Sequence, residues 1–167
     1  MEKTELSVYQ RILIIGSPGS GKSTLANQLA NQLHLPLIHL DQLNWQETNT
    51  TLAPEVFDQK LEQVLSQEAW LIDGHYSRSL EARLKACDCV IWLDFPRLLC
   101  VYRVIKRYLV GKTQGMTLGG NPLLLEKDFL KFVWQFNQEN RANISQLQQN
   151  YLDLPWFHIQ RKKDLPK

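Results

Sequence analysis

A run of nine residues in this chain has the composition and spacing to hold a phosphate: Gly16-Ser17-Pro18-Gly19-Ser20-Gly21-Lys22-Ser23-Thr24. It fits G-x-x-x-x-G-K-[ST], a phosphate-binding loop. The glycines let the backbone curl until successive N–H groups point at one anion. A following helix adds its positive end. Lys22 places a point charge for the β- and γ-oxygens of ATP, and the Ser23 hydroxyl is a ligand for Mg²⁺.

Other groups are candidates to complete phosphoryl transfer, which needs positioning, a divalent cation and spread positive charge more than covalent chemistry. Asp73 directly follows an apolar run, where an acid would hold Mg²⁺ through water or cap the next turn. Asp41 would order Mg²⁺ waters, accept a hydroxyl proton or close a turn. Asp94 precedes Phe95-Pro96 and reads as a helix-start residue. Arg103 and Arg107, four apart, share one helix face. One would stack on adenine while the other meets phosphate, or both join Lys106 in a solvated basic face. Arg141 would reach the phosphates through a closing lid. Arg78 and Arg83 are candidates for an anionic acceptor, or for surface ion pairs. Trp45 and Tyr76 are candidate stacking walls for a base or sugar. His75 is better placed for a site than His39, which is expected to pack inside a strand. There is no Ser-His-Asp arrangement and no zinc spacing.

The elements that must position these residues follow from periodicity. Residues 11–15 hold the continuous run Ile12-Leu13-Ile14-Ile15, as in a strand buried on both faces. Residues 22–33 repeat leucine at four-residue spacing, as on one face of a helix, and Pro36 prevents its extension. Strands are expected at 37–40, 69–72, 89–93 and 156–159. Helices are expected from Pro54, around Leu80 and Leu84, from Pro96, and over 126–151. Residues 1–10 read as a loose lead-in and 42–53 as a polar loop. Four glycines in 110–122 argue for a loop between helices, a lid spanning about 108–128. Alternating strands and helices imply a single α/β domain over 1–167, a three-layer α/β/α sandwich around a parallel sheet. Ligands in such sheets bind beyond the carboxyl ends of the strands, where Gly16, Asp41, Asp73 and Asp94 all fall.

Composition narrows the class. A net charge of +2 gives direct DNA binding little support. No apolar run is long enough to cross a membrane. The first ten residues lack the apolar core of a secretory signal. Cys87, Cys89 and Cys100 have no framework spacing and are expected to be reduced, buried thiols in a cytoplasmic protein. The sequence carries no signal for an oligomeric state.

Longer blocks sharpen the reading. Gly16–Thr24 with its flanks, His39-Leu40-Asp41-Gln42-Leu43-Asn44-Trp45, Trp70-Leu71-Ile72-Asp73-Gly74-His75-Tyr76, and Ile91-Trp92-Leu93-Asp94-Phe95-Pro96-Arg97 with Tyr102-Arg103-Val104-Ile105-Lys106-Arg107 occur together. The chain resembles, from about Arg11 to Arg161, an adenylate kinase-like P-loop family commonly labelled DNA topology modulation, or FlaR-like, proteins. The resemblance implies a P-loop fold of nucleoside monophosphate kinase type, with five parallel strands in the order 2-3-1-4-5. It implies ATP at Gly16–Thr24, Mg²⁺ and acceptor organised by Asp41 and Asp73, and arginines at Arg103, Arg107 and Arg141 around the phosphates. The function expected is phosphoryl transfer from Mg-ATP to a nucleoside, nucleotide or similar small molecule. The alternative is a nucleotide-binding regulator of DNA topology.

Overall fold

The computed structural model describes residues 3–44, 50–114 and 127–166. Its centre is a five-stranded parallel sheet in the order β2-β3-β1-β4-β5. These strands are β1 (Arg11–Gly16), β2 (Leu37–His39), β3 (Trp70–Asp73), β4 (Cys89–Leu93) and β5 (Trp156–Ile159). The helices are α1 (Lys3–Leu6), α2 (Lys22–Leu33), α3 (Leu40–Asn44), α4 (Pro54–Leu65), α5 (Ser77–Ala86), α6 (Arg97–Gln114) and α7 (Lys127–Asn150), with a 3₁₀ turn at Lys162–Asp164. The architecture is the expected three-layer α/β/α sandwich.

The apolar run of β1 reflects burial from two sides. Ile12 and Ile14 belong to one core with Leu25 and Leu29 of α2. Leu13 and Ile15 belong to the other, with Leu61 of α4 and Leu80 and Leu84 of α5. Side chains alternate across a strand, so a strand covered on both faces has no polar positions left. Burying each such side chain contributes roughly 1.5–3 kcal/mol. At the amino-terminal ends of β1 and β4, Asp88 accepts the main-chain N–H groups of Gln10 and Arg11 at 3.1 and 2.8 Å and pairs with the Arg11 guanidinium at 2.9 Å. That clamp sets which end of the sheet is closed; the opposite end opens into the cleft described below.

Several expectations change in detail. The lead-in contains α1, and Leu6 is fully buried in the core shared by β1 and α2. The polar loop after β2 begins with α3, so Asp41 lies in a helical first turn rather than at the end of a strand. Helix α6 runs to Gln114, through Gly111, which is buried. Packing there outweighs the roughly 1 kcal/mol that glycine costs a helix. Of the expected lid, 108–114 is therefore helical, 115–126 lies outside the described residues, and α7 begins at Lys127.

Gly74 joins β3 to the loop that precedes α5. Its φ is 136°, and an added Cβ would stand 2.8 Å from the Leu40 Cβ. A side chain there meets both backbone strain and a clash with a fully buried leucine. Gly74→Ala is expected to lower the unfolding free energy by about 1–3 kcal/mol in a denaturant titration. A change below about 0.5 kcal/mol would show that β2 and β3 are not held this closely at their carboxyl ends.

Candidate active site

The carboxyl ends of the strands open into a cleft of about 920 Å³ whose walls include Gly16, Pro18 to Leu25, Asp41, Asp73 to Ser77, Arg103, Arg107 and three phenylalanines of α7. The glycine loop is compact because neighbours press on it. Gly19 has φ 79°, and a Cβ there would lie 2.3 Å from the Cys100 carbonyl oxygen of α6. Lys22 donates from Nζ to the Ser17 carbonyl at 3.0 Å, across the loop. Arg103 donates from Nη1 to the Ser20 carbonyl at 3.0 Å, and its guanidinium carbon lies 5.1 Å from the centre of the Phe95 ring. Burial pulls the Lys22 pKa down, while the Asp73 and Asp41 carboxylates push it back up. The loop thus sits between a lysine and two acids at one end and an arginine-bearing helix at the other.

Asp73 is 4% exposed, and its Oδ1 is 2.5 Å from Nδ1 of His39. The hydrogen bond to Asp73 raises the His39 pKa, against the opposing effect of burial. His39 is therefore more than a packed strand residue. It supports the carboxylate, and the β2–β3 register that pairs His39 with Asp73 is what brings them together. That pairing is visible only once the strand order is known.

The loop after β3 is built by Arg83. This side chain is fully buried and carries no carboxylate partner among the described residues. It donates to the carbonyls of Gly74 at 2.7 Å, Tyr76 at 2.8 Å and Ser79 at 3.3 Å, and to that of His75. Burial pulls its pKa down to about 9. A guanidinium spent on four main-chain carbonyls is not presented to an acceptor, so the expectation for Arg83 is corrected. Its fork of donors instead fixes the turn that carries His75 and Tyr76. Arg78 is also committed, donating to Asp58 at 2.6 and 2.8 Å on the surface.

Tyr76 is the residue just before α5, at its N-cap, with φ 31°. Its ring stacks on Phe57 of α4 with centroids 5.5 Å apart, and its hydroxyl accepts a hydrogen bond from Asn44 at 3.3 Å. Burial, with the Asp41 carboxylate beside it, pushes its phenol up to about 12. His75 packs edge-on against Phe136 of α7 at 4.6 Å, and its Nε2 lies 3.1 Å from Asn140 Oδ1. Asn140 already donates its amide to the Phe136 carbonyl, so Oδ1 is the acceptor and His75 Nε2 carries the hydrogen. Burial pulls the His75 pKa down to about 4, so the ring is neutral at pH 7.

Arg107 lines the cleft with Arg103. Arg141 does not: it pairs with buried Asp94 at 2.9 Å, as does Nε2 of His158 at 2.9 Å. Asp94 thereby ties α7 to the end of β5 rather than capping α6. Trp45 lies outside the described residues. The three cysteines are unpaired and buried, and burial raises the Cys87 thiol pKa to about 12, as inert core thiols require. No helix among the described residues is long and apolar enough to cross a membrane.

Comparison with known proteins points the same way as the geometry. A shikimate kinase family model matches residues 18–69, under a third of the chain. A shikimate kinase from Acinetobacter baumannii, solved in complex with shikimate, superposes with a TM-score of 0.59 at 18% identity, over 96% of this chain and 88% of that one. A shikimate kinase from Bacteroides thetaiotaomicron gives 0.53 at 16% identity, over 94% and 92%. The fold is that of a P-loop kinase. Curated proteins return no match. Nothing in these likenesses carries the DNA topology label.

Within this P-loop fold, replacing Arg83 separates its two readings. Lysine has a compact head that cannot span the carbonyls the guanidinium bridges. Arg83→Lys is expected to lower the unfolding free energy by about 1–3 kcal/mol. Unchanged stability would return Arg83 to the list of candidate acceptor ligands.

Proposed function

We propose that this chain is an ATP- and Mg²⁺-dependent phosphotransferase acting on a nucleoside, nucleotide or similar small molecule. The observation that carries the reading is the meeting, in one cleft, of the glycine loop with Lys22 and of the Asp41 and Asp73 carboxylates. A nucleotide-binding loop uses one acid for its Mg²⁺; a second carboxylate in the same cleft is available to an acceptor hydroxyl. Phosphoryl transfer needs groups there to order a hydroxyl and receive its proton.

The roles follow from position. The loop from Gly16 to Thr24, at the start of α2, would cradle the β-phosphate with main-chain N–H groups, and Lys22 would bridge the β- and γ-oxygens. Arg103 and Arg107 would spread the charge of the transferring group. Arg141 would join them only by leaving Asp94. Asp41 would accept from the acceptor hydroxyl. Asp73, steadied by His39, and the Ser23 hydroxyl would hold Mg²⁺. The donors fit such a hard cation: a hydroxyl on the first turn of α2 and a buried carboxylate on the same cleft. Among the described residues no group of three or more His, Cys, Asp or Glu could hold a metal ion. When bound, Mg²⁺ neutralises part of the triphosphate charge.

The shikimate kinase likeness supports a small-molecule acceptor over a macromolecular one. No observation in the fold favours the regulatory alternative. The test is ADP release from Mg-ATP across nucleosides, nucleoside monophosphates and small hydroxyl-bearing metabolites. Lys22→Ala is expected to reduce acceptor-stimulated release by about 10²-fold or more. Equal turnover in the variant would remove the loop from the reaction.

A further inference from the structure

The cleft has two chemically different halves, and the strand order makes the division. The glycine loop follows β1 at the centre of the sheet. On one side of it stand β4 and β5, and on the other β3 and β2. Among the described residues, the cations lining the cleft are Lys22 in the loop, Arg103 and Arg107 on α6 after β4, and Lys162 after β5. All belong to the loop or to the β4–β5 side. The β2–β3 side contributes Asp41, Asp73, neutral His75, Tyr76 and Ser77.

The arginines that might have reversed this sign are committed. Arg83 is buried on three carbonyls of the loop and one of α5, and Arg78 is paired with Asp58. An aromatic row on α7 reaches this acidic-to-neutral half at Phe136. Phe132 and Phe136 meet edge-on at 5.8 Å, and Phe136 meets His75 at 4.6 Å. Phe132 lines the cleft and is 44% exposed.

An anionic acceptor would have to bring a carboxylate or phosphate beside Asp41 and Asp73, where the nearby cations, Lys22 and the Mg²⁺ that Asp73 would hold, are those that would serve the ATP phosphates. Desolvating an unpaired charge there is costly. A planar, uncharged ring would instead bury against the phenylalanines, and its hydroxyl would find carboxylate acceptors. Resting on the phosphotransferase reading above, we propose that the acceptor is an uncharged hydroxyl compound with a planar ring, of the nucleoside class, and not a carboxylate or a monophosphate. In the reaction the acceptor oxygen bonds to the γ-phosphorus of ATP and the bond to the β–γ bridging oxygen breaks. ADP leaves with that electron pair, and the hydroxyl proton passes to the Asp41 carboxylate and then to solvent.

The experiment uses the full chain with Mg²⁺ and compares matched probes: four common nucleosides, their 5′-monophosphates, and shikimate. ADP release gives kcat and KM for each. Binding of each probe is also measured by calorimetry with a non-hydrolysable ATP analogue saturating the donor site. The expected result is that at least one nucleoside exceeds its own monophosphate and shikimate by about tenfold or more in kcat/KM. Phe132→Ala should then raise the nucleoside KM several-fold with kcat and ATP affinity little changed. Preference for shikimate or a monophosphate would overturn the proposal while leaving the phosphotransferase reading intact. So would binding of the ATP analogue with no nucleoside binding at all. Failure to bind the ATP analogue would sink the underlying reading, and this proposal with it.

Discussion

The Cα of Gly19 lies so close to the Cys100 carbonyl of α6 that any side chain would collide with it. This contact fixes the glycine loop against α6, and much of the site follows from it. It holds Arg103 where its guanidinium can reach the Ser20 carbonyl, and so sets positive charge beside the loop. Lys22 closes the loop from within by bonding Ser17. The result is a loop held in one shape by two cationic side chains that bond its own carbonyls.

The opposite wall is organised by two buried polar side chains whose energetics differ. Arg83 takes its charge out of water without a carboxylate among the described residues, at a cost offset by hydrogen bonds to four carbonyls. Its return is a rigid turn bearing His75 and Tyr76. Asp73 is held by His39 from the neighbouring strand, so its carboxylate is oriented before any cation binds. The two walls carry opposite charge character because β1 lies between β3 and β4. A parallel sheet with a central switch point separates its loops in this way, and charge placed on those loops is separated with them.

Much of this was legible in the residues. The glycine loop, the two-sided β1, the strand end at Asp73 and the sheet order all followed from spacing and resemblance, while Asp41 falls in the first turn of α3 and not at a strand end. Other features depended on contacts between segments far apart in sequence. His39 looked like strand packing because its partner is 34 residues away and meets it only through the β2–β3 register. Arg83 read as an acceptor ligand or a surface ion pair because helical spacing does not reveal which face a neighbouring turn will cover. Arg141 looked free to approach phosphates because nothing local shows that Asp94 is buried beneath it. The helix at Leu40–Asn44 was missed because five residues are too few for periodicity to register.

The most direct test of the account is a crystal structure with Mg²⁺ and a non-hydrolysable ATP analogue. The account predicts the triphosphate within the loop from Gly16 to Thr24, its γ-phosphate directed toward Asp41 and Asp73, with Arg103 and Arg107 on the far side of the phosphates. A γ-phosphate directed away from the two aspartates, or a nucleotide bound outside the loop, would contradict it.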